Sequence, residues 1–226
     1  MKWPELRQVT PLVDIPVGLV ASRLKAEEVP GMIALVRNWF SDISVSSESY
    51  HLDESFYFER TMLEGLSESA IRNVYPLVLK HENRPVFFVT LQREWNARTL
   101  TGRLLVIDPQ YRGQGLANIG PRLLESMGKL MGAELLYYYA SVTTIHQQKA
   151  AEHAGFKLIG LMPASDRHLM EPGRVRRIFE AIYAKVLICE DEIFVPGQEA
   201  LTPQTTALWK FLFTEAAGEA SLPQGE

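Results

Sequence analysis

The run Val106-Ile107-Asp108-Pro109-Gln110-Tyr111-Arg112-Gly113-Gln114-Gly115-Leu116-Ala117 joins a β-rich segment to an amphipathic one through a glycine-punctuated turn. Residues 99–107 carry the β-branched and aliphatic side chains of a strand, and Asp108-Pro109 ends it because proline cannot continue a central ladder. Residues 117–131 place Ile119, Leu123, Leu124, Met127, Leu130 and Met131 on one side of a helix. Gly113 and Gly115 let the backbone take unusual dihedrals and approach a ligand closely. Amides at the start of the helix, with its dipole, favour an anion there. The same turn also serves some proteins as a plain connector, so the residues alone leave both readings open. It is not a Walker A loop, since no Gly-Lys-Ser/Thr follows. It is not the dinucleotide fingerprint either, because Asn118 stands where the third glycine belongs and an antiparallel meander precedes it.

Working outward, residues 75–81 and 86–95 read as a β-hairpin turning at Glu82-Asn83-Arg84-Pro85, with the 99–107 strand completing a meander. On the N-terminal side lie a strand at 19–24 and two helices, at 28–40 and 53–66, separated by a serine-rich polar loop at 41–51. On the C-terminal side a strand is expected at 134–142, a helix at 144–154 and a strand at 156–161. A linker at 166–171 and a long strand at 174–188 follow. Residues 1–18 contain three prolines and read as an arm on the surface. Thr202-Pro203 opens a helix to about residue 215, followed by a frayed tail.

Composition narrows the function classes. Of 226 residues 46% are hydrophobic, enough for a sizeable core, and the formal net charge of −4 supplies no basic field for nucleic acid. No run is long and apolar enough for a membrane span, and the N-terminus lacks a signal-peptide core. One cysteine, Cys189, rules out a disulfide framework and a cysteine-rich metal site. A cytoplasmic protein without a metal or a membrane partner is expected.

The turn and its setting resemble the GNAT superfamily of acyl-coenzyme A-dependent N-acyltransferases. Gln110, Gly113 and Gly115 match the fixed positions of that family's Gln/Arg-x-x-Gly-x-Gly/Ala loop, and Ala154-Gly155-Phe156-Lys157 resembles its Gly-Phe turn. The order of elements agrees over residues 19–187. The resemblance implies an α/β (α+β) fold: a mixed, mostly antiparallel sheet with a central splay, flanked by helices on both faces. It implies an acyltransferase domain at 19–188, which leaves the N-terminal arm at 1–18 and a C-terminal extension at 189–226 outside it. It also implies acetyl-CoA, or another short acyl-CoA, as co-substrate. Leu105, Val106 and Ile107 would lie along the pantetheine arm. Gln110, Arg112, Gly113, Gln114, Gly115, Leu116, Ala117 and Asn118 would surround the pyrophosphate. Arg112 reads equally as a phosphate contact or as a solvated arginine.

The chain departs from the family pattern at two places. The family's helix before the Gly-Phe pair often carries an asparagine and, seven residues on, a tyrosine acid; by alignment on Gly155 these positions are Thr144 and Ala151. Pro121 would break a helix begun at Gly115 unless the helix starts a turn later. Proton transfer therefore needs other groups. Along the 174–188 strand, Glu180 shares an apolar face with Ile178, Ile182, Ala184, Val186 and Ile188; it is either a base or substrate clamp, or the ion-pair partner of an arginine such as Arg103. His146 stands near the expected thioester as a candidate for proton transfer, and Tyr139, in the Tyr137-Tyr138-Tyr139 run, is a candidate acid. Each has an ordinary reading too, as a surface histidine and a core aromatic. Trp39, Trp95 and residues 56–58 are candidate pocket linings. Acidic residues in 41–53 and 166–171 suit a cationic amine or simply solvate a loop. The expected acceptor is a small-molecule amine or a protein amino group, and the C-terminal helix reads either as a homodimer contact or as packing on its own domain. A non-catalytic acyl-CoA sensor is the alternative function.

Overall fold

The computed structural model describes residues 1–171 and 173–213. They form two compact units, Met1–Leu187 and a second that begins at Ile188. The chain opens with α1 (Leu6–Val9), β1 (Leu19–Arg23), α2 (Val29–Trp39) and α3 (Glu54–Arg60). The meander follows as β2 (Val74–His81), β3 (Arg84–Glu94) and β4 (Thr99–Ile107). Then come α4 (Ile119–Met131), β5 (Leu135–Ser141), α5 (His146–His153), β6 (Lys157–Glu171) and β7 (Arg174–Val186). Glu82 and Asn83, at φ +48° and +64°, close the β2–β3 hairpin with a tight turn whose twist matches the strands.

The strands make one seven-stranded sheet in the order β1-β2-β3-β4-β5-β7-β6. Only the β4–β5 pair is parallel, and it covers just Thr99↔Leu135 to Gly102↔Tyr138. The strands then part. One core lies where Leu123, Leu124 and Met127 of α4 meet Leu100, Leu136 and Tyr183 of the sheet. The other lies where Val29, Met32 and Val36 of α2 and Tyr57 of α3 meet Val78, Phe88 and Val106. This is the mixed, split sheet with helices on both faces that the sequence led us to expect.

Several elements differ from the sequence reading. Residues 1–18 are not a surface arm: they include α1 and bury Trp3, Val9 and Val13 in the first core. These apolar residues are irregularly spaced around prolines, so no periodicity marks them. The second helix stops at Arg60 rather than near 66. The segment 166–171 is the far half of β6, paired with β7 from Asp166↔Ile178 to Glu171↔Arg174, and not a linker. Pro121 is accommodated because α4 begins at Ile119, after a 3-10 turn at Leu116–Asn118. In that first turn its missing N–H has no helical partner to lose.

In the second unit α6 (Pro203–Phe213) starts where Thr202-Pro203 indicates, with Thr205 N donating to Thr202 Oγ1 at 3.2 Å. The expected end of that helix and the tail lie outside the described residues. No helix among the described residues is long and apolar enough to cross a membrane.

Two glycines test how tightly α2 and α4 pack. A Cβ at Gly31 of α2 meets nothing within 4 Å, whereas one at Gly128 of α4 comes within 2.5 Å of Leu136 Cδ2 and 3.2 Å of Leu187 Cδ1. Gly31→Ala is expected to stabilise the chain by up to about 1 kcal/mol through helix propensity. Gly128→Ala is expected to destabilise it by roughly 1–3 kcal/mol through overpacking. Denaturant midpoints of the two variants check both signs.

Candidate active site

The site is built around the place where β4 leaves β5. On the β3 side, Thr90 pairs with Leu104 and Leu91 with Gly102, which leaves Arg103 as an extra, bulged residue. The bulge re-aims the strand, and β5 continues without it. From residue 103 onward the edge of β4 that faces β5 has no strand partner. A cavity of about 440 Å³ lies in this region, lined by residues 103–107, Arg112, Ala117, Tyr139, Thr143, Thr144 and Gln147 together with Trp39, Asp42, Glu48, Asp166, His168 and Glu180. A second cavity of about 230 Å³ shares Glu48, Arg103, Tyr139 and Glu180 with it.

The glycine turn stands at one end. Gly113 and Gly115 have φ of +76° and +81°, the left-handed region that favours glycine, and a Cβ on Gly113 would meet nothing within 4 Å. Buried Asp108 shapes the approach by accepting from Gln110 N at 3.0 Å and pairing with Arg84 at 3.1 Å. The helical ladder starts with Asn118 N donating to Gly115 O at 3.0 Å, so the amides before it precede the ladder at the helix entry. Leu116 is buried in the first core, and only its backbone belongs to the turn. Gln110, Gly113, Gln114 and Gly115 are exposed. Arg112 is engaged within the chain: it donates to Ile107 O at 3.2 Å and to Trp39 O, tying the turn to the end of α2. Of the three residues read as lying along the arm, Val106 is buried, and all of Leu105, Val106 and Ile107 line the cavity.

Acidic groups gather at the other end. Glu48 is 9% exposed; its Oε1 accepts from Arg103 Nη2 at 2.5 Å, and Tyr50 donates to its other oxygen. Burial pushes the Glu48 carboxyl above its ordinary range against the pull of Arg103. Glu180 of β7 lies opposite Ser141 and faces both cavities. Burial raises its carboxyl as well, with Asp166 adding to the rise while Ser165, Arg103 and His168 pull the other way. The Tyr139 phenol is raised by burial, opposed by Arg103.

Behind Glu48 lies a buried polar core. His51 is fully buried, with Nδ1 3.0 Å from Glu48 O and Nε2 3.0 Å from Thr90 Oγ1. Burial lowers its pKa to about 3, so the ring is neutral at pH 7.

The sequence candidates fare differently. Tyr139 and Glu180 meet at the cavity. His146 is exposed at the first turn of α5 and is not among the cavity-lining residues; Thr143, Thr144 and Gln147 are. The face of β7 that carries Glu180 buries Ile178 and Ala184 but lies outside the first core, into which Ala181 and Tyr183 pack from the alternate face. The expected partner of Glu180, Arg103, is bound to Glu48 instead. Ala151, at the family's tyrosine position, is fully buried and has no donor. Trp39 lines the cavity, whereas Trp95 and residues 56–58 do not. Glu48, Ser46 and Asp166 were missed as individuals, although both acidic segments that hold them were noticed.

A split mixed sheet with a glycine turn at the mouth of the split defines a GNAT-type fold, and comparison with solved structures agrees. A point mutant of spermidine N-acetyltransferase SpeG from Vibrio cholerae is 15% identical, covers 76% of this chain and 95% of its own, and superposes with a TM-score of 0.56. The putative acetyltransferase yncA from Salmonella typhimurium, solved with its cofactor acetyl-CoA, is 13% identical over 80% of this chain and 99% of its own, with a TM-score of 0.57. RimL, a ribosomal protein α-N-acetyltransferase, is 12% identical over 77% of this chain and 96% of its own, with a TM-score of 0.54. The chain has the GNAT superfamily fold. No protein-family model and no curated protein sequence matches it.

Because folded His51 stays neutral down to about pH 3, the unfolded chain binds up to one more proton than the folded chain between about pH 6.5 and about pH 3. Stability is therefore expected to fall as pH drops from about 6.5 toward about 3, by up to about 1.4 kcal/mol per pH unit from this group. His51→Gln should flatten that part of the profile; equal slopes in both proteins between pH 4 and 6 would assign the loss to other groups.

Proposed function

We propose that the protein is an N-acyltransferase that moves an acetyl group from acetyl-CoA to a primary amine by direct attack. The observation that carries this reading is the early end of β4–β5 pairing, which opens a cavity with the glycine turn at one end and buried carboxylates at the other. Acetyltransferase neighbours of the same fold support it, including one solved with acetyl-CoA and others acting on spermidine or a ribosomal protein.

The residues fit the donor. The free backbone edge of 103–107 suits an amide-bearing arm, and Val106 and Leu105 give it apolar walls. The left-handed glycines leave the turn open for a pyrophosphate beside the entry to α4, with the backbone of 112–117 and the side chains of Gln110, Gln114 and Asn118 around it. Arg112 holds the turn against α2 rather than serving as a free charge. When bound, acetyl-CoA supplies the thioester.

Glu180 is the base in this reading. Its raised carboxyl takes the proton from the attacking amine, whose nitrogen forms a bond to the acyl carbon while the carbon–sulfur bond breaks. Tyr139, raised by burial, gives its hydroxyl proton to the leaving sulfur, and solvent returns a proton from Glu180 to Tyr139. Backbone donors on the free edge of β4 polarise the carbonyl. His146, solvent-exposed, has no step. No covalent intermediate on Cys189 is needed.

Gly113→Val or Gly115→Val is expected to weaken acetyl-CoA binding at least about tenfold, because a β-branched residue resists positive φ. Calorimetry with unchanged affinity would remove the donor assignment. Coenzyme A release is to be assayed against amines, polyamines, amino acids and aminoglycosides. On any acceptor found, Glu180→Gln should lower kcat by roughly 10²–10⁴ with little change in acceptor KM. It should also erase a rising pH limb that lies above the ordinary carboxylate range. Binding of acetyl-CoA without turnover across the panel would favour a sensor instead.

A further inference from the structure

Strand pairing ties the β1–β4 half of the sheet to the β5–β7–β6 half at one end only, through residues 99–102 and 135–138. A second tie spans the open end, and it is made by the serine-rich segment after α2. Asp166 of β6 is 7% exposed and accepts from Ser46 Oγ at 2.9 Å, Ser47 N at 2.6 Å and Arg167 N at 2.7 Å. Ser46 Oγ accepts from Glu48 N at 3.1 Å. Glu48 Oε1 holds Arg103 Nη2 of β4 at 2.5 Å. Asp166, Ser46, Glu48 and Arg103 thus form one continuous bridge from β6 to β4. Asp42 adds a parallel strut, 3.4 Å from His168 of β6, whose ring also contacts Phe40.

Both ends of the bridge depend on broken strand geometry. Arg103 is the bulged residue of β4. On β6 the register against β7 shifts between Met162 and Asp166, and Ala164 within that irregularity has φ +58°. A residue with a Cβ adopts that conformation only where its surroundings hold it. Here Arg177 of β7 donates to Ala164 O at 2.8 Å. The irregular stretch delivers Asp166 to the segment at 42–48, which a regular strand register would not ensure.

We propose that residues 42–48 are a clasp across the split sheet and that Asp166 is its positioning residue. It fixes the separation of β4 from β6 at the open end, and so the placement of the acceptor amine against the donor thioester. The clasp stands on geometry alone; its kinetic consequence rests on the acyl-transfer reading above.

The test uses the full chain and two variants, Asp166→Asn and Ser46→Ala. Asp166→Asn removes the charge and replaces one of the two acceptor oxygens with an NH₂, so Ser46 Oγ and Ser47 N can no longer both donate to the side chain. Ser46→Ala removes the central hydroxyl without changing charge, and it carries the test alone if the first variant does not fold. Hydrogen exchange at the amides of 44–51 is expected to accelerate about tenfold or more, while protection in α4 and α5 stays as in the parent chain. Unchanged exchange at 44–51 in the folded variants overturns the clasp. On an identified acceptor, KM should rise at least about fivefold, since placement is lost, with acetyl-CoA affinity within about twofold of the parent. A fall in kcat with acceptor KM unchanged overturns the positioning role. Failure of the parent chain to bind acetyl-CoA removes the donor reading, and the exchange result then still decides the clasp.

Discussion

The parallel ladder between β4 and β5 ends after Gly102↔Tyr138, and the rest of the molecule is arranged around that short seam. A parallel pair that continued would fill the middle of the sheet and leave no cavity. The bulge at Arg103 changes the direction of β4 while β5 runs on, and the backbone between them loses its partners. In a buried sheet such groups are costly unless something else satisfies them. In the proposed reaction that edge, which lines the cavity, pairs with the amide-bearing arm of the donor.

Electrostatics follow from the same opening. Glu48, Asp166 and Glu180 converge where the strands separate, each handled differently. Glu48 has Arg103 and Tyr50; Asp166 has three donors from 46, 47 and 167; Glu180 has no salt-bridge partner among the described residues. Partnered carboxylates hold structure. The carboxylate without an ion pair of its own is left to accept a proton, and burial raises its affinity for one against the weaker pull of Ser165, Arg103 and His168. That difference, more than the number of acids, separates a catalytic candidate from its neighbours.

The glycine turn and the helix after it were legible in the sequence because their information is local. Asp108-Pro109 ends a strand, two glycines require left-handed backbone, and the Pro121 conflict is resolved by the later helix start. The acidic end of the cavity was not legible because it is assembled from segments far apart in the chain. Ser46 and Asp166 are 120 residues apart, and both looked like loop polarity. The strand at 157–171 hid behind register breaks that spoil alternation, so its outer half read as a linker. Parity along β7 correctly grouped Glu180 with Ile182 and Ala184. It could not tell that this face borders a cavity while Ala181 and Tyr183 fill the core.

β6 has another consequence. It is an edge strand of 15 residues with exposed Leu161, Met162 and Leu169, the kind of border onto which another chain can stack and nucleate aggregates. Its register against β7 breaks at three places, so its outward amides and carbonyls do not form an even row. The distortion that delivers Asp166 to its partners therefore also makes the rim a poor template for cross-chain pairing. Straightening β6, for example by engineering out the irregular stretch around Ala164, would trade a small gain in local regularity for a stickier protein.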